Sequence, residues 1–472
     1  MSVEIGANLW WPEPELSFHP ERTSERDVHP LRGLKSFGPY SKTALLPNPI
    51  RIASIAPHAD GPRLFAFMEE LKRPARPRER TDYLPEWPGF AQVFQNRLTG
   101  APRRCHVALD ADLDAHIGDA EQPELLLADA LTRAIGTLSA FRADFDVVFI
   151  YLPLRWERAF FGAHDFDLHD HLKALTAARG MPLQIVREDR ALAYNCRASV
   201  MWRIGLALYA KAGGIPWKLA DTDPETAYIG ISYAVRPRES EKPRFVTCCS
   251  QVFDADGAGL EFVAYDTREV EVHRENPFLS QTEMFRVINR SMDLYRARHA
   301  GRSPRRVIVH KTTEFKFDEI KGCFDALPLC EAVDLIQVVE DVAWRGIHMD
   351  QDKQDPERGR AAMYPVKRGT LIGLNDREAL FWLHGRVEGL SEKVHFQGGR
   401  GTPQPLRLVR HAGHGSWDDT ARSALALSKM DWNNDALYDH LPVTMSYAKV
   451  LARVVKRMPS LGTTPYQFRF FM

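Results

Sequence analysis

Apolar residues recur at helical spacing through RASVMWRIGLALYAKAGGIPWKL, Arg197 to Leu219, where Val200, Ile204 and Leu208 stand at i, i+4 and i+8. That period predicts a helix with one face turned inward. Gly213 and Gly214 end it, and Pro216 prevents its resumption. Upstream, CHVALD (105–110) predicts a short strand and ELLLADALTRAIGTL (124–138) an amphipathic helix. DVVFIYLP (146–153) is an unbroken apolar run of strand length, as a strand buried on both faces requires. LHDHLKALTAARG (168–180) predicts a helix closed by Gly180, and MPLQIVRED (181–189) a further strand. Strands alternating with helices imply a parallel, Rossmann-like sheet. The absence of GxGxxG leaves it without a dinucleotide fingerprint.

Beyond Leu219 the pattern changes. AYIGISYAVR (227–236), FVTCCSQVF (245–253) and LEFVAYD (260–266) are strand-like runs joined by turns carrying proline or glycine, an antiparallel meander. Ser280-Gln-Thr-Glu283 is a capping box opening a helix that runs to about Arg298. RRVIVHK (305–311), a helix and AVDLIQVVED (332–341) follow. Three strands, helix, strand, helix, strand is the order of the ribonuclease H fold. The first hundred residues are rich in proline and arginine with weak periodicity. Within them HPLRGLKSFGPYSK (29–42) reads as an extended segment draped over a larger body, and RPARPRERTDYLPEWPG (73–89) as a proline-broken boundary loop. The expected division is an N-terminal extended or linker segment (1–100), a Rossmann-like domain (101–218) and a ribonuclease H-like domain (219–472), an α/β chain throughout.

A length of 472 residues accommodates two or three domains, and 44% hydrophobic with 26% charged residues is an ordinary globular balance. Lys+Arg and Asp+Glu both count 62, so any nucleic-acid contact has to use a local groove instead of a globally basic surface. Six cysteines without a CxxC pair argue for a reducing compartment and against a zinc ribbon or disulfide framework. MSVEIGANLWWPEPE lacks the basic and apolar regions of a signal peptide, and no run of 18 apolar residues suggests a membrane span. The expected setting is the cytoplasm.

His169 and Lys173 are i and i+4, so they share a helix face. Gln184 lies in the next strand, and Lys211 in the last turn of the Arg197 helix. Two lysines, an imidazole and an amide form a donor-rich set able to hold a terminal phosphate. The same residues also read as a solvated helix face, with Lys211 merely opposing the helix dipole.

The series His169, Lys173, Gln184, Lys211, running into LYAKAGGIPWKL, resembles the MID domain of prokaryotic Argonautes. HPLRGLKSFGPY, GGIPWKL, YIGISY, VIVHKTTEF, RGTPQPLRLV (400–409) and LSKMDWNND…LPVTMSYAKVLA (427–452) resemble, in order, the lead into MID, the MID–PIWI joint and successive PIWI motifs. The resemblance implies that His169, Lys173, Gln184 and Lys211 grip the 5′-phosphate of a guide strand. It also implies that a Mg²⁺ ion sits there with the C-terminal carboxylate, here Met472 at the end of YQFRFFM, with Gln184 nearby. In a PIWI setting Arg400, Arg407 and Arg410 line the guide–target groove, where phosphate contacts supply affinity, although each also reads as a solvated charge. A cutting PIWI domain holds two metal ions on acidic side chains. The positions that match those carboxylates carry Ser232 (IGIS), Thr312 (HKT) and Lys449 (YAKVLA). The resemblance therefore implies a catalytically inactive short Argonaute without N-terminal lobe or PAZ domain. Such a protein binds guide RNA and single-stranded target DNA. It also activates an APAZ-containing effector partner, in a heterodimer or higher oligomer, with abortive infection of phage- or plasmid-invaded cells as the outcome. Family effectors include NAD-consuming sirtuin-like or TIR domains and DNases.

Other constellations compete. HDFDLHDH (164–171) has metal-like density but also reads as a polar helix start. RHAGHGSWDD (410–419) has a serine without the second glycine of G-x-S-x-G. The alternative functional classes are an autonomous metal-dependent nuclease using Asp254, Asp256 or Glu261, and a structural nucleic-acid protein with no guide.

Overall fold

The computed structural model describes residues 8–42, 46–78, 84–236, 244–254, 261–266, 270–273, 276–351, 355, 358–362, 365–388, 401–458, 461 and 465–472. The chain divides into two compact units. One comprises Leu16–Lys218, Trp432–Ala436 and Val450–Met472; the other comprises Met1–Glu15, Leu219–Asp431 and Leu437–Lys449.

The unit built mainly from Leu16–Lys218 centres on a parallel sheet. Leu183–Arg187 pairs with Val147–Leu152, and Val147–Leu152 with Ile50–Pro57. Leu98–Gly100 and His106–Leu109 complete it along Ile50–Pro57. Every residue of Val147–Leu152 is buried, as its unbroken apolar run requires. Helices Pro123–Ser139 and Leu168–Ala177 share one apolar core with these strands. The sheet is Rossmann-like, but its anatomy corrects the expected segmentation. Ile50–Pro57 is an interior strand of this sheet, so residues 1–100 are not a linker leading up to a domain that starts at 101. The 29–42 stretch is not extended either. His29 caps a helix, Pro30–Phe37, which begins with proline at its first position and stops at Gly38. The supposed boundary loop at 73–89 is pinned to the body by Trp87, which is fully buried and packs edge-on against Trp202 at 4.9 Å.

Arg197–Lys211 forms the expected helix, but it is not amphipathic. Val200, Met201, Trp202, Ile204, Leu206, Leu208 and Tyr209 are all buried, so the helix is enclosed on most sides. Gly205 lets it approach Trp87, because a Cβ there would lie 2.5 Å from the indole. Gly213 adopts φ +102°, a conformation that ends the helix and that side chains resist.

The second unit carries one large sheet. Its order is Asn8–Trp10, Thr370–Asn375, Glu378–Phe381, Leu406–Ala412, Ala332–Val339, Arg306–Lys311, Thr226–Arg236, Arg244–Phe253, Glu261–Asp266. Thr226–Arg236, Arg244–Phe253 and Glu261–Asp266 are an antiparallel meander. Arg306–Lys311 runs parallel to Thr226–Arg236, and Ala332–Val339 parallel to Arg306–Lys311. Those five strands, with helices Gln281–Arg298 and Phe317–Ala326 packed on them, have the ribonuclease H arrangement. Among the described residues no helix is long and apolar enough to cross a membrane.

Candidate functional site

Helix Leu168–Ala177 begins at Asp167, whose carboxylate caps the amide of Asp170 at 3.2 Å. One turn further on, Lys173 points inward and is 2% exposed. Its Nζ donates to the carbonyl of Leu183 at 2.7 Å and to the main-chain oxygen of Met472. Lys211, in the last turn of Arg197–Lys211, is 1% exposed and donates to Gln184 Oε1 at 2.5 Å. Leu183 and Gln184 are consecutive, so both ammonium groups converge on the start of one strand. The turn Phe468–Phe470 lies against both lysine-bearing helices and delivers the buried Met472 to the site.

The structure thus brings Lys173, Gln184, Lys211 and Met472 together. His169 is one turn before Lys173, with 51% of its side chain exposed, and its Nδ1 meets Asp170 at 3.1 Å. Asp170 is buried and also faces Arg457 at 3.8 Å and Arg453 at 3.9 Å. Burial pushes the Asp170 carboxyl up, but His169 and the two arginines together hold it below its usual range. The arginines escaped notice in the sequence because they lie almost 300 residues from the helix they face; only the spacing Arg453, Arg457 (i, i+4) hinted at a shared face.

Burial drives the Lys173 ammonium down to about 7, against the opposing help of Lys211 and Asp170. Lys211 falls well below its ordinary value, through burial first and the neighbouring Lys173 second. Two enclosed ammonium groups side by side form an arrangement that an anion stabilises. For Lys173 and Lys211 the bland readings of a solvated face and of a dipole-neutralising lysine do not survive this burial, whereas His169 stays on the exposed side of its helix.

The expected Mg²⁺ takes oxygen ligands, and Gln184 Oε1 and a Met472 main-chain oxygen stand at this site, each accepting from a lysine. Asp167, His169 and Asp170 do group their ligand atoms within 4.8 Å. Asp167 is spent on the helix cap and Asp170 on cations, so the polar helix start is the better account of HDFDLHDH.

The second constellation lies in the ribonuclease H-like unit. Ser232 stands on Thr226–Arg236, is buried, and donates through Oγ to the carbonyl of Ala448 at 2.8 Å. His310 is enclosed, meets Thr444 Oγ1 at 2.8 Å, and is held neutral by burial at about 4. Lys311 is fully buried in an ion pair with Glu319 at 2.5 Å, and Tyr233, Phe278 and Phe315 surround its ammonium at 5.1–5.3 Å. Thr312 follows, its carbonyl accepting from Gln337 at 3.1 Å. Lys449 reaches Glu340 in an ion pair.

The arginine set divides. Arg400 lies outside the described residues. Arg407 is 41% exposed and pairs with Glu378 at 3.0 Å. Arg410 corrects the expectation of a groove residue. It is buried, stacks over Trp417 at 4.3 Å, bonds Thr420 and lies 3.4 Å from the buried Asp334. Ser416 caps helix Trp417–Leu427 through the amide of Asp419, which removes the hydrolase reading. Of the alternative nuclease residues, Asp254 meets His299 at 3.5 Å, whereas Asp256 and the side chain of Glu261 lie outside the described residues.

No protein-family model matches the sequence. The Argonaute of Thermus thermophilus is 24% identical over 316 residues, which cover 65% of this chain and 38% of that protein. A structure of Clostridium butyricum Argonaute bound to a guide DNA and a 19-mer target DNA superposes with a TM-score of 0.66 at 15% identity. That match covers 99% of this chain and 55% of the other. A. aeolicus Argonaute gives 0.57 at 14% identity over 98% of this chain and 54% of its own. The chain spans about half the length of the proteins it matches, or less. Its mixed α/β fold matches Argonaute structures, and its sequence is similar to that of the Thermus thermophilus Argonaute.

Proposed function

We propose that the chain is a nucleic-acid-guided protein of the Argonaute family, of the short type, and that it senses without cutting. In this reading Lys173, Gln184 and Lys211 hold the 5′-phosphate of a guide RNA, with His169 at the rim. The guide pairs with single-stranded target DNA, base pairing reads the sequence, and protein contacts such as Arg407 hold the backbone. The observation that carries the reading is the convergence of two buried ammonium groups on Leu183–Gln184 in a fold matching guide-binding proteins.

The reading of a chain that does not cut rests on three positions, Ser232 within strand Thr226–Arg236, Thr312 just past strand Arg306–Lys311 and Lys449 on helix Val443–Val455. A hydroxyl (Ser232), another hydroxyl (Thr312) and an ammonium (Lys449) are poor ligands for the hard cations of two-metal cleavage. The output chemistry would then belong to an APAZ-containing partner, either an NAD-consuming sirtuin-like or TIR enzyme or a DNase, whose activation aborts infection. The test is purification of the chain with whatever it carries. Short 5′-phosphorylated RNA and a co-purifying effector are expected. Lys173→Ala with Lys211→Ala should abolish the RNA. Guide-dependent cleavage of DNA by the isolated chain would refute the sensor reading, and unchanged guide binding in the double variant would refute the pocket.

A further inference from the structure

We propose that the parallel sheet carries a second ligand site, at the carboxyl ends of its strands, which takes a small molecule by its phosphate group. Lys173 and Lys211 meet the start of strand Leu183–Arg187 and leave that other end unused.

The strand order reverses at this place. From Ile50–Pro57 the chain goes first to Leu98–Gly100 and His106–Leu109 on one side, then to Val147–Leu152 and Leu183–Arg187 on the other. In open parallel sheets such a reversal leaves a crevice beyond the carboxyl ends of the strands, and ligands bind in it. Five side chains from three adjacent strand ends stand around this one. Asp60 and Arg63 follow Ile50–Pro57, Tyr151 and Arg155 lie at and just past the end of Val147–Leu152, and Glu188 follows Leu183–Arg187. Asp60 holds Arg155 at 2.6 Å and Arg63 at 3.3 Å. Glu188 holds Arg63 at 2.6 Å and accepts from the Leu154 amide at 2.8 Å. Two guanidinium groups thus balance two carboxylates. A third carboxylate, Asp114, is half-exposed and engaged by Trp156 as well as Arg155.

Two features tip the crevice toward an anion. Asp60 stands at the N-cap of helix Gly61–Glu70, but its carboxylate bonds no amide there, so no side chain caps the positive end of the helix. The space above it is open, since a Cβ at Gly61 would meet nothing within 4 Å. The other feature is Tyr151. Its side chain is fully buried, and among the described residues its hydroxyl has no hydrogen-bond partner, a condition that buried polar groups rarely tolerate. Burial first, then Glu188, push that hydroxyl up to about 12 against the pull of Arg63, so it keeps its proton and can donate. Arg63 lies over the ring, 6.0 Å from its centroid, with 49% of its side chain exposed. Turned onto a phosphate at the helix start, Arg63 would uncover the hydroxyl for the same phosphate.

Calorimetric titration with AMP, inorganic phosphate and adenosine tests the site. It is run on the full chain and on Lys173→Ala with Lys211→Ala, because a 5′-phosphate pocket would itself take AMP. AMP and phosphate should bind saturably in the lysine variant, and adenosine should not. Tighter binding of AMP assigns the site to a nucleotide, equal binding to the free ion, and both support the phosphate group as what is held. Tyr151→Phe removes only the hydroxyl, so Tm should hold while the affinity of this site for AMP falls about tenfold. Arg63→Gln should weaken it at least as much. No saturable binding of either phosphate compound up to about 5 mM overturns the proposal, as does adenosine binding as tightly as AMP. AMP binding that the lysine variant abolishes, and that Tyr151→Phe and Arg63→Gln leave intact, belongs to the lysine pocket and overturns it too.

Discussion

Lys173→Met should change how the guide-free protein responds to pH, and the size of the change follows from the burial of the ammonium. In the folded chain Lys173 titrates at about 7, against 10.5 when exposed. Between those values the unfolded chain holds a proton that the folded chain has lost, so stability rises with pH there. For a single lysine with that displacement the slope approaches about 1.4 kcal/mol per pH unit. From about pH 7.5 to about pH 9 the gain sums to about 2 kcal/mol. Lys211, displaced in the same direction, adds to it. The methionine variant removes the Lys173 share and relieves Lys211 of a like charge, so its stability should climb by about 2 kcal/mol less over the same interval. Urea unfolding of the guide-free chain and variant at the two pH values measures the difference. A bound guide should reverse the trend, since its phosphate favours the protonated lysines and its affinity falls as pH rises. Parallel pH profiles for wild type and variant would show that Lys173 is not enclosed and would refute the pocket geometry.

Three further outcomes concern the scaffold. Glu13→Ala should cost about 3–5 kcal/mol, read as a drop in Tm, because Arg368 and Lys429, both fully buried, share that carboxylate at 2.9 and 2.6 Å. Gly205→Ala should destabilise by about 1–3 kcal/mol and perturb the near-ultraviolet tryptophan signal, since its methyl would meet the Trp87 ring at 2.5 Å. Lys311→Met alone strands the buried Glu319 and should cost about 3–5 kcal/mol, whereas Lys311→Met with Glu319→Gln should recover most of it, a coupling that a double-mutant cycle measures.

What could be read in the sequence was local, and what could not was set by residues far apart in the chain. The helix Arg197–Lys211 and the buried strand Val147–Leu152 announce themselves because period and run length are properties of a short window. Ile50–Pro57 did not, although it is an interior strand of the parallel sheet. It stands among prolines and arginines, and two of its partners, Leu98–Gly100 and His106–Leu109, are too short to show a pattern. Arg410 looked like a groove cation because its charge is visible in the sequence, whereas Asp334, which sits beside it, lies on a neighbouring strand 76 positions away.

The phosphate pocket divides along the same line. Spacing picked out Lys173 and Lys211, since i+4 on one helix and the last turn of another are local facts. It did not reveal that both would be enclosed, which depends on the 466–472 tail closing over the two helices. Burial is also what changes the chemistry. An exposed pair of lysines at that spacing would bind phosphate weakly. Enclosed beside each other against Leu183, Gln184 and Met472, they meet a phosphate where water screens it least. A variant that opens the tail, such as Phe471→Ala, should therefore weaken the preference for a 5′-phosphate, and binding of 5′-phosphorylated against 5′-hydroxyl guide RNA would measure it.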